Sequence, residues 1–328
     1  MAAIACFGSL NIDKVFTVPS IVKKGETIAS TGYAEFAGGK GANQSVALAR
    51  AASGSDIAVH HVGKVGRDGA WLVNLLDQNG INTTDIMVSD IHNTGCALIQ
   101  KDAEGDNAII LLPGSNAKIP TWHIDNALSK FKQGDHLLIQ NEINNVPDII
   151  TAAKDRGLKV VFNPAPCPAN IAAYPLDCVD ILILNKGEAE ALFAALSNDP
   201  SHSVETILSI LMKVFTSLEA VIITLGENGA SAIYRDMNVD EKSNGSELDV
   251  QFAQVFALRD CQVVDTTGAG DTFVGYFLAS FVSLKEKLAP DAFKKALEIA
   301  AVASGIACET NGAIPSIPQL DNVKKRMQ

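Results

Sequence analysis

The run Val263-Val264-Asp265-Thr266-Thr267-Gly268-Ala269-Gly270-Asp271-Thr272-Phe273 sets the reading of this chain. Its two β-branched residues predict a strand, its small residues a turn, and the apolar spacing after Asp271 a helix. In that arrangement the backbone N–H groups of Gly268, Ala269 and Gly270 converge beside the positive end of a helix dipole. Such a spot suits an anion. Asp271 would then be a carboxylate facing the anion that its neighbours hold. A surface turn has no use for an acid there, whereas a base beside a transferring phosphoryl group needs that position. The plainer reading is a strand–turn–helix link in which Asp271 caps the helix.

Outward from this run, short β-rich segments alternate with helical patterns. Strands are predicted at Ala3–Phe7, Ile57–Val62, His136–Ile139, Val160–Phe162, Ile181–Leu184, Ala220–Thr224 and Ala230–Tyr234. Helices are predicted at Ala42–Ala52, Gly69–Asn79, Pro147–Arg156, Glu188–Leu196, Val204–Thr216, Asp271–Phe281 and Ala292–Ile306. Continuous apolar strands are buried on both faces, so the fold class is α/β, a parallel sheet with helices on both sides. Residues 14–36 and 94–112 carry strand-like alternation without helices between, and are expected to form a small extra sheet serving as a lid. The polar stretch from Asp236 to Leu258 is expected to be a surface insertion.

The 328 residues are within reach of one large α/β domain, and 47% hydrophobic content supplies a sizeable core. A formal charge of −11 argues against a binder of phosphate backbones, which needs clustered Lys and Arg. A small anionic ligand remains compatible. Six scattered cysteines with no CxxC pair suggest reduced, buried thiols. No apolar run approaches membrane-spanning length, and the first residues lack a signal-peptide pattern, so a soluble, cytoplasmic protein is expected.

Other segments bear on chemistry. Gly38-Gly39-Lys40-Gly41-Ala42-Asn43-Gln44 precedes a helix; its glycines permit close backbone approach, and Lys40 and Asn43 supply donors. It is neither a Walker A loop nor a dinucleotide fingerprint. Asn11 and Asp13 share one side at a strand's carboxyl end, an amide and a carboxylate that match a sugar diol, though an Asx turn explains them too. Glu142 holds a comparable position. Asn185 and Glu188 follow a strand and open a helix, a spacing that also fits a capping box. Thr224-Leu225-Gly226-Glu227-Asn228-Gly229 reads as a strand and a glycine turn able to pass close to a nucleotide. His60 and His61 face opposite ways on a strand and cannot share a metal. No GxSxG elbow occurs.

Taken in order, these segments resemble the ribokinase branch of the PfkB carbohydrate-kinase family over essentially the whole chain. The resemblance implies a single three-layer α/β/α sandwich domain over 1–328 with a β-sheet lid, pairing through its lid as a homodimer. It implies ATP-dependent phosphorylation of the ribose 5-hydroxyl, with Asp271 as general base and Gly268, Ala269 and Gly270 as anion hole. Asn11, Asp13, Gly39, Lys40, Asn43 and Glu142 would bind ribose; Asn185, Thr224, Gly226, Gly229 and Gly270 would lie along the nucleotide. Glu188 would act on Mg²⁺ through water, the ion entering with ATP. A K⁺ activator would be held by Asp265, Ser316 and backbone carbonyls of Thr267, Ala307, Thr310 and Gly312. Where relatives often place a His or Asn against adenine, this chain aligns Ala301, which implies a looser pocket. The alternatives are another kinase of the family, such as a fructokinase, deoxyribokinase or adenosine kinase, or a sugar sensor without catalysis.

Overall fold

The computed structural model describes residues 2–104, 106–197, 202–235, 250–284 and 290–328. In chain order the first elements are β1 (Ala2–Phe7), β2 (Asn11–Thr17), β3 (Gly32–Gly38), α1 (Lys40–Ala51), β4 (Ile57–Gly66), α2 (Ala70–Gln78), β5 (Asn82–Ser89), β6 (Gly95–Lys101) and β7 (Asn107–Leu112). There follow α3 (Thr121–Leu128), β8 (His136–Gln140), α4 (Val146–Asp155), β9 (Lys159–Asn163), β10 (Ile181–Asn185), α5 (Lys186–Leu196), α6 (Val204–Val214) and β11 (Ala220–Thr224). The chain closes with β12 (Ala230–Arg235), β13 (Val250–Val255), α7 (Ala269–Ser283), α8 (Pro290–Ala307), α9 (Ala313–Ser316) and α10 (Leu320–Arg326).

The main sheet runs β13-β12-β11-β10-β9-β8-β1-β4-β5. It is parallel from β11 to β5, while β12 pairs antiparallel with both its neighbours. Side chains alternate across it into two cores, which is why its central strands are apolar throughout. On β10, Ile181 and Ile183 join the core of α1, α2, α7 and α8, whereas Leu182 and Leu184 join that of α3, α4, α5 and α6. The result is a three-layer α/β/α arrangement.

The smaller sheet, β3-β2-β6-β7, contains both segments predicted to lie outside the main layer. Its halves are antiparallel hairpin-like pairs, and β2 and β6 join them in parallel. β2 starts at Asn11, so Asn11 and Asp13 lie within this sheet rather than in a loop leaving the main one.

Three expectations are corrected. Val263 and Val264 are not a strand: both are exposed, and the backbone N–H of Val264 donates to the Cys308 carbonyl over 2.8 Å. β-Branched residues form a strand only beside a partner, and here the neighbour is the C-terminal end of α8. Val250–Val255, expected within the surface insertion, is the edge strand β13; residues 236–249 lie outside the described residues. The polar-starting β5 escaped prediction because it is the opposite edge. The cysteines are free, as expected, yet only Cys6 is fully buried.

Candidate active site

Two glycine contacts bring the first half of the site together. Gly8, after β1, lies so close to Gly41 of α1 that a Cβ on it would sit 2.4 Å from the Gly41 Cα. Gly39 has φ +91, and a Cβ there would meet the Ser9 carbonyl at 2.8 Å. The glycine loop thus rests on the backbone that leads into β2. Glu142, just past β8, clamps this junction: its Oε2 accepts from the Ser9 hydroxyl at 2.5 Å and from the Lys40 backbone N–H at 3.0 Å. Asn11 is buried and its Oδ1 accepts from Asn116 Nδ2 at 2.7 Å. The Asp13 carboxylate lies against Gly38, where any side chain would collide with it. Burial, reinforced by Glu142 and then Asp271, pushes the Asp13 carboxyl up to about 7.

The second half is the start of α7. Gly268 is left-handed at φ +79 and occupies the N-cap, so Asp271 is not the capping residue of the plainer reading. Asp271 sits in the first turn, buried, and its two oxygens accept from Asn43 Nδ2 and Gln44 Nε2, each at 2.9 Å. Burial opposes the charge on Lys40, but Asp271, Glu142 and Glu188 together hold its ammonium above the usual range. A cavity of about 220 Å³ gathers Lys40, Asn185, Glu188, Gly268, Gly270 and Asp271 around one space.

Asn185 and Glu188 form the capping box: Asn185 Oδ1 accepts from the Glu188 N–H at 2.8 Å, and Glu188 Oε2 from the Asn185 N–H at 2.9 Å. They also line the cavity. Burial raises the Glu188 carboxyl against the opposing Asn185 N–H and Lys40.

A second cavity of about 550 Å³ adjoins the first, sharing Thr224, Thr266 and Gly270, and extends past Gly226, Gly229, Ala301 and Cys308. Gly229 owes its identity to packing: a Cβ there would stand 2.0 Å from the Val255 carbonyl oxygen. Ala301, Gly305 and Leu258 leave the far end of this cavity apolar.

Of the residues expected around a monovalent cation, Asp265, Thr267 and Gly312 meet directly. Asp265 Oδ1 accepts from the Thr267 N–H and hydroxyl at 3.0 and 2.7 Å, and Oδ2 from the Gly312 N–H at 2.9 Å. Against the effect of burial, those donors hold the Asp265 carboxyl below its ordinary value. Ser316 is buried and its hydroxyl donates to the Ala313 carbonyl. Ala307 ends α8, and the Thr310 N–H donates to the Ala307 carbonyl. Among the described residues no three His, Cys, Asp or Glu side chains cluster to hold a metal. His61 is buried with Nδ1 2.8 Å from the Ser45 hydroxyl, and His60 packs edge-on to Phe131.

Three residues of the site went unassigned in the sequence reading: Gln44, Gln140 and Asn163. Gln44 lies in the glycine-loop segment, where neither spacing nor motif marks it for a role. Asn163 closes β9 as Asn185 closes β10, so the same strand-end logic points to it.

A profile of the pfkB family carbohydrate kinases matches residues 1–320. The ribokinase of Haemophilus influenzae is 33% identical over 315 residues, covering 95% of this chain and 94% of its own. The deoxyribokinase of Salmonella typhi is 31% identical over 323 residues, covering 97% of both. Among solved structures, the ribokinase of Cryptococcus neoformans in complex with ADP has a TM-score of 0.80 at 33% identity, over 99% of this chain and 100% of that one. Arabidopsis thaliana ribokinase complexed with ribose and ATP has a TM-score of 0.78 at 27% identity, over 100% and 99%. The chain therefore belongs to the pfkB family of carbohydrate kinases.

Proposed function

We propose that this sugar kinase transfers the γ-phosphoryl group of ATP to the 5-hydroxyl of D-ribose. The observation that carries the reading is the position of Asp271. It stands at the head of α7, held by two amides, between the Asp13–Lys40–Glu142 cluster and the groove running to Ala301. Relatives named as ribokinases match along nearly the whole chain.

In this mechanism Asp13, Asn11 and Asn43 take the sugar hydroxyls and leave the 5-hydroxyl against Asp271, which accepts its proton as the oxygen attacks phosphorus. The N–H groups of Gly268 and Gly270 would receive the charge that grows on the transferring oxygens, whereas the Ala269 N–H donates to the Thr266 carbonyl at 3.2 Å. The Lys40 ammonium adds a fixed positive charge in the same cavity. Glu188, with Asn185 beside it, would act through water on Mg²⁺ carried in by the nucleotide, an ion that when bound would neutralise phosphate charge. Such a sparse protein donor set fits an ion that keeps waters and phosphate oxygens as its main ligands. The Asp265 carboxylate, the Ser316 hydroxyl and nearby carbonyls make an oxygen-only set suited to K⁺, which would brace the turn before α7. The lid is proposed to pair with a second copy of the chain. Six free thiols suit a reducing compartment, so the cytoplasm is the proposed location. No helix among the described residues is long and apolar enough to cross a membrane.

A second reading, phosphorylation of 2-deoxyribose, is favoured by the deoxyribokinase relative. A coupled ADP-release assay with Mg-ATP and K⁺, comparing ribose, 2-deoxyribose, fructose and adenosine, separates them. Ribose is expected to be preferred, because a site built to bond a hydroxyl rejects the analogue that lacks it. Preference for another acceptor would keep the kinase mechanism and overturn ribose.

A further inference from the structure

Behind Asp271 lies a chain of buried amides, of which Gln44 and Gln140 touch neither cavity while Asn163 also lines the first. Gln44 Nε2 donates both to Asp271 Oδ1 and to Asn163 Oδ1, each at 2.9 Å. Gln44 Oε1 accepts from Gln140 Nε2 at 2.6 Å. Asn163 Nδ2 in turn donates to the Ile183 carbonyl of β10 at 2.9 Å. Gln44 and Gln140 are fully buried and Asn163 nearly so.

The polarity of this chain has one solution. The Ile183 carbonyl can only accept, so the Asn163 amide must point its nitrogen there and its oxygen at Gln44. An ionised carboxylate also only accepts. Both neighbours therefore demand the –NH₂ end of Gln44, and turning that amide over would set its oxygen against two acceptors. Gln140 takes up the oxygen that remains. The orientation of Gln44 is thus fixed from the backbone of the main sheet.

We infer that Gln44, locked by Gln140 and Asn163, is the positioning residue for the Asp271 carboxylate. It occupies Oδ1 while Asn43 occupies Oδ2, and so fixes which lone pair faces the sugar hydroxyl. This rests on the reading of Asp271 as the base. Gln44 lines neither cavity, so its removal acts on the proton-transfer geometry and leaves substrate contacts in place.

A double-mutant cycle with Gln44→Met and Asp271→Asn tests it by steady-state kinetics. Gln44→Met is expected to lower kcat about a hundredfold, the cost of a small misplacement at the reacting centre, with both KM values unchanged. In the Asp271→Asn background the same change is expected to cost nothing further. Wild-type kcat in Gln44→Met, or an equal loss in both backgrounds, overturns the positioning role. Near-normal turnover in Asp271→Asn alone overturns the base instead, and is read from a separate arm. Gln140→Met, one link further back, serves should Gln44→Met not fold: a smaller kcat loss, absent in the Asp271→Asn background, supports the chain of amides, and unchanged kcat overturns it.

Discussion

Asn43 Nδ2 donates to Asp271 Oδ2 over 2.9 Å, joining residues 228 positions apart. That bond couples the glycine loop before α1 to the turn before α7, so the proposed sugar-side and phosphate-side groups would share one carboxylate. Asp271→Asn keeps the side-chain shape and removes the proposed base. Turnover is expected to fall by orders of magnitude, about the 10²–10⁴-fold of a lost general base, while ribose and ATP still bind. Single-turnover kinetics with calorimetric titration checks both halves; near-normal turnover removes Asp271 as base.

Asp13 is expected to make sugar binding pH-dependent. Its carboxyl rises from 3.8 to about 7 through burial, Glu142 and Asp271. Between those values the folded chain holds a proton that the unfolded chain has lost. The contribution of Asp13 to stability is therefore full below the lower value and is lost as pH rises through the upper one. Sugar hydroxyls donate to the ionised form, so ribose affinity is expected to rise as pH increases through about 7. Titration calorimetry across that range reads it, and Asp13→Asn is expected to flatten the profile. A flat wild-type profile counts against the diol contact.

Asp265 ties the turn before α7 to the segment after α8 through Thr267 and Gly312. Replacing K⁺ by a larger, poorly fitting cation is expected to lower activity, and Asp265→Ala to weaken that dependence. Equal initial rates in all cations, and in none, would sink the cation site. Thermal denaturation of Asp265→Ala separates lost bracing from lost stability, since each hydrogen bond removed costs about 0.5–1.5 kcal/mol.

The two glycines of the turn are expected to fail differently. At Gly268 a Cβ would meet Ala313 at 3.0 Å, on a backbone with φ +79. Gly268→Ala is expected to destabilise the fold by about 1 kcal/mol or more as well as slow turnover. Gly270 has nothing within 4 Å of its Cβ position and lines both cavities. Gly270→Ala is expected to melt normally yet lose kcat/KM for ATP. Normal ATP kinetics in Gly270→Ala would remove the anion hole from that turn.

On the smaller sheet, pairing register puts Phe36, Ile109 and Leu111 on the Asp13 face, and all three are exposed, Leu111 by 54%. A second copy of the chain is the proposed cover. Leu111→Glu is expected to shift sedimentation toward monomer and raise KM for ribose. A wild-type chain that sediments as monomer at micromolar concentration discards lid pairing.

The main sheet was legible where burial on both faces forces an unbroken apolar run, as in Ile181–Leu184 and Ala220–Thr224. It was illegible at the edges. β5 opens Asn82-Thr83-Thr84-Asp85, and β13 follows a polar stretch, because an edge need not be apolar throughout. Val263 and Val264 misled in the other direction: propensity proposes a strand, but among the described residues no strand lies beside them to pair.

The sequence alone determined that small residues at 268–270 would open a helix, because backbone conformation is local and glycine's freedom marks it. It also placed Asn185 and Glu188 at a helix start, where spacing dictates the capping box. Only the tertiary structure decided that Asn43 and Gln44 grip Asp271, that Glu142 clamps Ser9 and Lys40, and that Gln140 and Asn163 set the direction of the Gln44 amide. A lone amide has no periodicity to announce it. Its partner is chosen by which strand ends the sheet brings together, and its polarity by acceptors more than a hundred residues away.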